Sequence, residues 1–145
     1  MPNWCNNTLQ LTFPDVDSAD KFQQHIARVK SDVEHKDEND NDLTILGYFV
    51  PEPNYNNDEG WYWWRVNNWG TKWDVHLYQD DWIDDTTIVM GFDTAWGPPI
   101  HTYEAMEEQD IIVEATYHEP GMCFVGSFGS GGEREHYEYS EIEDP

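Results

Sequence analysis

The stretch TLQLTF at residues 8–13 decides the fold, because apolar and polar side chains alternate along it until Pro14. A period of two is typical of a strand with one buried face. The stretch that follows has an apolar stripe at spacings of three and four residues, which predicts an amphipathic helix capped by Asp17 or Ser18. The stripe comprises Ala19, Phe22, Ile26, Val29 and Val33. The chain is therefore expected to open with a strand and a helix that packs on it.

The rest of the chain continues with strand and helix patterns that turn residues separate. A Trp-rich segment over residues 54–70 is expected to contain a short helix that ends at a left-handed Gly70. A second helix is expected after Pro98 and Pro99. DDWIDD, residues 80–85, is expected to form a hairpin tip, and the tail from Glu133 an edge strand through Tyr137 and Tyr139. Strands are predicted at LTILGYFV (43–50), DVHLYQ (74–79), TIVMGFDT (87–94), IIVEATYHE (111–119) and MCFVGSF (122–128).

These elements predict one α+β domain over residues 1–145, with an antiparallel-rich sheet, helices on one face and a Trp-rich insertion. Its charge is extreme: 30 Asp and Glu against 7 Lys and Arg give a net charge of -23. Such a surface repels nucleic-acid phosphates and anionic lipid headgroups, so neither direct nucleic-acid binding nor membrane binding is expected. Without a signal segment, and with Cys5 and Cys123 as the two cysteines, the protein is expected in the cytoplasm.

Four short pieces of the chain resemble the signature of the YubB-type ferredoxin-like domains encoded on plasmids, phages and in bacterial genomes. They are MPNWCNN at the start, NWGTKWD from Asn68, FDTAWGPP from Phe92 and EPGMCFVG from Glu119, in order over most of the chain. The resemblance implies a ferredoxin-like split β-α-β fold and a prokaryotic or phage origin, and it brings no catalytic residues. The chain departs from the family pattern at Gly97, where Ser is common, and in its acidic segments.

The acidic clusters outside that pattern suggest a function. Carboxylates can replace the phosphates of DNA on the basic surface of a DNA-binding protein. We therefore expect an acidic inhibitor, a phage- or plasmid-encoded DNA mimic. It would occupy the basic DNA-binding surface of a host protein, namely a restriction, CRISPR-type or recombination nuclease or a nucleoid protein. The host cytoplasm is then its compartment, and its oligomeric state stays open. The expected partner-binding residues are Asp37, Glu38, Asp40, Asp42, Asp80, Asp81, Asp84, Asp85, Glu133, Glu135, Glu138 and Glu141.

The first predicted helix carries Lys21, Arg28 and Lys30, three of the seven cations, and it is expected to face away from such a basic partner. For each acidic cluster, a solvated surface with no binding role remains an alternative, because exposed charge often serves only to keep a protein in solution. The loop from Asp37 begins like a calcium loop, but Asp42 stands where that loop needs Gly and Tyr48 where it needs Glu.

A small-ligand or nucleotide-binding module is the alternative function. Aromatic side chains can box a base or a cation, with a neighbouring cation as an anion handle. The candidates for such a site are Trp61, Trp64, Arg65, Trp69, Lys72 and Trp73, with Trp63 and Trp96 nearby. Core packing is the competing interpretation of the tryptophans. The six histidines have no zinc spacing and GSFGSGGE has no phosphate-loop pattern, so no enzyme activity, metal or cofactor is expected.

Overall fold

The computed structural model describes residues 3–31, 44–53, 60–129 and 133–138. In these residues the protein has a mixed α/β architecture, with six strands in one antiparallel sheet and four helices. The strands are β1 (Trp4–Thr12), β2 (Gln79–Trp82), β3 (Thr87–Ala95), β4 (Ile112–Glu119), β5 (Phe124–Gly129) and β6 (Glu133–Glu138). The helices are α1 (Val16–Lys30), α2 (Ile45–Phe49), α3 (Gly60–Asn68) and α4 (Ile100–Glu108). The strand order is β2-β3-β1-β4-β5-β6, so β1 pairs with β3 and β4 on its two sides.

One face of the sheet forms the core with the helices. The predicted alternation of β1 is confirmed, because Leu9 and Leu11 are buried while Thr8 is exposed between them. The register places Leu9 opposite Met90 of β3 and Ala115 of β4, both of which are also buried. Burial of these side chains with those of the helices supplies the main apolar driving force for folding. Helix residues in this core include Ala19, Phe22, Ile26, Ile45, Leu46, Phe49, Tyr103 and Met106.

Helix α1 confirms the predicted helix, but its cap lies earlier than expected. Asp15 has an extended backbone, and its carboxylate accepts a hydrogen bond from the Ser18 N–H at 2.7 Å. Asp17 instead lies inside the first turn, where it pairs with Lys21. An N-cap must keep a non-helical backbone while its side chain reaches the free N–H groups, and Asp15 meets both conditions.

The prediction of a strand over residues 43–50 is wrong, because residues 45–49 form helix α2. The Asp74 carboxylate accepts hydrogen bonds from the N–H groups of Ile45 and Leu46, at 3.0 and 2.9 Å. The Thr44 hydroxyl accepts another from the Gly47 N–H at 2.9 Å. These acceptors satisfy the free N–H groups of a first helical turn. The apolar pattern of residues 43–50 fits either a strand or a helix. The cap provided by the distant Asp74 favours the helix.

The hairpin prediction is correct in kind and shifted in position. Strand β2 covers Gln79–Trp82, so the tip lies at residues 83–86 and not at residues 80–85. The strand predicted at residues 74–79 is wrong except at Gln79: Val75 and Leu77 are buried, but they lie before β2 and in no strand, so their alternation reflects burial without sheet pairing. Gly70 has a φ of 89°, which confirms the predicted left-handed end of α3. Strands β3, β4 and β5 and the edge strand β6 are confirmed, and Tyr139 lies outside the described residues.

The capping carboxyl of Asp74 makes stability depend on pH. Burial raises its pKa from 3.8 to about 6, although the N–H groups of Leu46 and Ile45 oppose that shift. Because the folded state then binds the proton more tightly, this contribution is fully present below about pH 4 and is lost as the pH rises through about 6.

We therefore expect the difference in unfolding free energy between wild type and Asp74→Asn to fall by on the order of 2 kcal/mol from about pH 4 to about pH 7.5. Urea unfolding at both pH values measures it. An unchanged difference would show that Asp74 titrates alike in the folded and unfolded chain.

Candidate functional site

No helix covers the sheet face opposite the core in the part of the chain that the structure describes, although the Tyr78 ring lies over Gly91 of β3. We call it the open face. Two rows of residues run across it from strand to strand, and a third lies nearer the start of β1. The first row is Asp81, Val89, Gln10, Glu114 and Gly129, and the second is Gln79, Gly91, Thr8, Thr116, Ser127 and Glu135. The third row is Asp93, Asn6, His118, Val125 and Tyr137.

The middle of the open face is a shallow trough. Two cavities of about 390 and about 520 Å³ adjoin there and share Thr8, Thr116 and Ser127 in their linings. These neighbours lie on β1, β4 and β5, and they present hydroxyl groups where larger side chains would fill the space. Glu114 lines one cavity and Glu135 the other, so each half of the trough has a carboxylate at its side. The trough suits a ligand that donates hydrogen bonds and carries positive charge.

The electrostatics of the open face are one-sided. Asp81, Asp93, Glu114 and Glu135 lie on it, whereas none of the described Lys and Arg residues occupies an open-face position of a strand. The described cations lie on helices, beside Trp73, or on the core side of the sheet. They are Lys21, Arg28 and Lys30 on α1, Arg65 on α3, Lys72, and Arg134 on β6.

The two cations at the sheet edges already have partners on the core side. Lys30 bonds to Asp80 of β2 at 2.7 Å, and Arg134 lies over the Phe128 ring at 4.3 Å from its centroid. The Lys30 contact joins α1, which is expected to face away from a basic partner, to one residue of the acidic turn predicted to bind that partner. The reason is the register of β2: Asp80 pairs with the core-facing Met90, so its side chain points to the helices while that of Asp81 points to the open face.

The four predicted aspartates at residues 80–85 therefore do not act as one set. Asp81 lies on the open face, where the Gln79 amide donates to it at 3.1 Å. Asp84 shapes the turn, because its carboxylate accepts from the N–H groups of Thr86 and Thr87, both at 2.9 Å. These bonds hold the pKa of Asp84 below its ordinary value, and Asp85 is exposed.

Three of the remaining predicted partner residues belong to β6, namely Glu133, Glu135 and Glu138. Glu135 faces the trough, and the register places Glu138 opposite Phe124 on the other side of the strand. The other five predicted residues, Asp37, Glu38, Asp40, Asp42 and Glu141, lie outside the described residues.

The residues of the predicted Trp-rich ligand site are largely engaged with one another. Arg65 forms a two-pronged ion pair with the buried Glu52, at 2.6 and 3.1 Å. Its guanidinium also lies over the rings of Trp61 and Trp69. Trp69 is fully buried, donates its indole N–H to the Val50 carbonyl at 2.9 Å, and packs against Trp64. Arg65 is thus not available as an anion handle. Lys72 and Trp73 lie apart from this group, with Lys72 over the Trp73 ring.

A buried polar cluster behind the start of β1 escaped the sequence analysis. The Asn7 amide donates to the Cys5 carbonyl at 3.0 Å and to the Thr94 hydroxyl at 2.9 Å. Glu119 is fully buried and accepts from the N–H groups of Gly121 and Met122. Burial raises the pKa of the Cys5 thiol to about 12, so the thiol is protonated at neutral pH and is a poor nucleophile. The polar Asn7 at an inward position of β1 was the available signal.

Within the described ranges, no group of three or more His, Cys, Asp and Glu side chains is placed to hold a metal ion. No helix of that part of the chain is long and apolar enough to cross a membrane. Comparison of the chain with protein-family models, with curated proteins and with solved structures found no match.

Proposed function

We propose that this protein binds a basic protein surface through its open face and acts as a mimic of DNA. The observation that carries the proposal is the one-sided charge of that face, with the described carboxylates of Asp81, Asp93, Glu114 and Glu135 and no Lys or Arg on its described strand positions. A basic surface meets attraction across the whole sheet and no local repulsion, which speeds association and favours the correct partner. The partner is a host DNA-binding protein, such as a restriction, CRISPR-type or recombination nuclease or a nucleoid protein.

The open face supplies only part of the charge that such mimicry needs. Strands lie about 4.8 Å apart, so the distance from β2 to β6 is about 24 Å. Duplex DNA of that length carries roughly 14 phosphates. The four carboxylates of the face are far fewer. We therefore assign the remaining contacts to Asp85 beside the face and to the acidic segments at residues 37–42 and 141–144, which belong to the net charge of -23.

The order of the strands supports the proposed ferredoxin-like resemblance. In a split β-α-β fold, the first strand lies between the third and fourth strands of the chain and the second strand lies at an edge. The order β2-β3-β1-β4 has this form, and β5 and β6 extend the sheet beyond β4. We propose that the shared scaffold is this four-strand unit and that the acidic surface is the specialisation, consistent with a plasmid or phage origin.

The test is displacement of a labelled DNA duplex from purified bacterial nucleases and nucleoid proteins. Wild type is expected to displace the duplex from at least one of them, with an affinity that falls steeply as salt rises. The variant Asp81→Asn/Glu114→Gln/Glu135→Gln is expected to need an about tenfold higher concentration, because three attractive charges at the interface are lost.

The matched control removes three charges from the other side of the molecule. Asp20→Asn, Glu108→Gln and Asp110→Asn lie on or beside α1 and α4, and all three side chains are exposed. This control has the same net charge as the open-face variant and is expected to displace DNA nearly as well as wild type. Equal losses in the two variants would mean that total charge matters and the open face does not.

A further inference from the structure

Three tryptophans lie exposed at one end of the molecule, where β1 begins and β3 ends. Trp4, Trp73 and Trp96 keep 43%, 38% and 50% of their surface in contact with solvent. We call this group the aromatic end. Trp4 alternates with the buried Cys5 and so belongs to the open face. The aromatic end therefore borders the acidic face at the row of Asp93 and Asn6.

The surrounding structure holds these rings in place. The Trp4 and Trp73 rings lie 5.8 Å apart at an angle of 33°. The Trp96 N–H donates to the Asn3 carbonyl at 2.7 Å, next to the start of β1. Trp96 also has a φ of 71°, a left-handed backbone that bulky side chains rarely adopt. Such a conformation persists only where neighbouring contacts enforce it, and it is concentrated at binding sites.

One cation of the chain itself lies against a ring of the aromatic end. Lys72 Nζ lies 4.5 Å from the centroid of the Trp73 ring, which is the geometry of a cation–π contact. Trp4 and Trp96 have no such cation among the described residues. A second polar feature lies one row further along the sheet: Asp93 interacts with the Tyr78 hydroxyl, while its Oδ1 atom is buried and accepts no hydrogen bond within the described part of the chain. Asp93 is the cross-strand partner of Asn6, two positions from Trp4 on the same face.

Tryptophan rings beside an unpaired carboxylate oxygen match one side chain best. A guanidinium can stack on a ring face and donate planar hydrogen bonds to a carboxylate at once, whereas an ammonium is a compact, strongly hydrated point charge. A second copy of this chain is a poor occupant, because each copy carries a net charge of -23. The same charge disfavours a nucleotide stacked on the rings.

We infer that the aromatic end is an arginine-binding subsite, formed by Trp4, Trp96 and Asp93, that anchors the basic partner. The inference rests on the proposed function and adds to it the partner's chemistry: arginine in preference to lysine. The carboxylates of the open face then govern salt-dependent association. The tryptophans provide the contact that persists at higher salt, because stacking is screened less than separated charges.

The probes are hepta-arginine and hepta-lysine peptides, which carry equal charge, and binding is measured by fluorescence anisotropy at physiological salt. Wild type is expected to bind hepta-arginine about five- to tenfold more tightly, as a cation–π contact of ordinary strength implies. Trp96→Gly is expected to reduce the preference to about twofold or less. Glycine accepts the positive φ, so this variant should keep its fold. Asp93→Asn tests the carboxylate, and Trp4→Leu tests the second ring.

The control is Trp63→Leu, because this residue is 65% exposed like the rings of the aromatic end but lies on helix α3 and not on the sheet. It is expected to keep the full arginine preference. The subsite would be overturned by equal binding of the two peptides to wild type, or by an unchanged arginine preference in Trp96→Gly. The proposed function would still be tested separately by the open-face variant. Tight binding of a short single-stranded DNA to these rings would also overturn it. Failure of wild type to bind either peptide would contradict both proposals.

Discussion

Arg65→Met is expected to lower the free energy of unfolding by about 3–5 kcal/mol, because it breaks a buried ion pair by removing one partner. Glu52 is only 5% exposed, and it forms an ion pair with Arg65 at 2.6 Å. Removing the guanidinium leaves a buried carboxyl group without this counterion. It also removes the cation–π contacts with Trp61 and Trp69 and the hydrogen bond to the Lys72 carbonyl.

Urea unfolding of three variants separates these contributions. Arg28→Gln changes an exposed cation of α1 and is expected to stay within about 0.5 kcal/mol of wild type. The double variant Glu52→Gln/Arg65→Met is expected to recover part of the loss, because an uncharged amide costs less to bury than a carboxylate. A loss below about 1 kcal/mol in Arg65→Met would mean that water reaches Glu52 and that this pair does not hold α3 to the core.

Trp69→Ala is expected to lose about 3–5 kcal/mol, as large-to-small substitutions of buried aromatics do. The indole is fully buried and packs at 5.7 Å from the Trp64 ring. Its N–H is also the donor to the Val50 carbonyl at the end of α2, so truncation leaves both a cavity and an unpaired acceptor. The substitution is expected to affect stability because Trp69 packs in the core and is not exposed to bind a ligand.

Thermal and urea unfolding measure this loss, with Trp63→Ala as the matched tryptophan control. The Trp63 ring is 65% exposed, so its removal is expected to change stability by no more than about 0.5 kcal/mol. If Trp69→Ala were as stable as wild type, the side chain would not be packed as the structure shows. That result would favour the alternative in which the tryptophans of residues 54–70 bind a ligand.

The sequence alone determined the elements whose pattern has one physical interpretation. The alternation of residues 8–13, the stripe of Ala19, Phe22 and Ile26, and the glycine at position 70 each predicted the observed structure. The reason is that burial on one face of a strand or helix requires a fixed period, and a left-handed backbone favours glycine. The net charge of -23 likewise follows from the composition without any knowledge of the fold.

Tertiary structure decided what depends on residues far apart in the chain. Residues 45–49 are helical because Asp74 caps them, and no local pattern encodes a cap that lies 28 or 29 positions away. The same is true of the charge pattern: the register of β2 turns Asp80 toward Lys30 and Asp81 toward the open face, although the two are adjacent in sequence. Folding also joins Trp4 with Trp73 and brings Thr8, Thr116 and Ser127 into one trough. Composition determines how much charge the protein has, and strand pairing determines which face presents it, because neighbouring strand residues point to opposite sides.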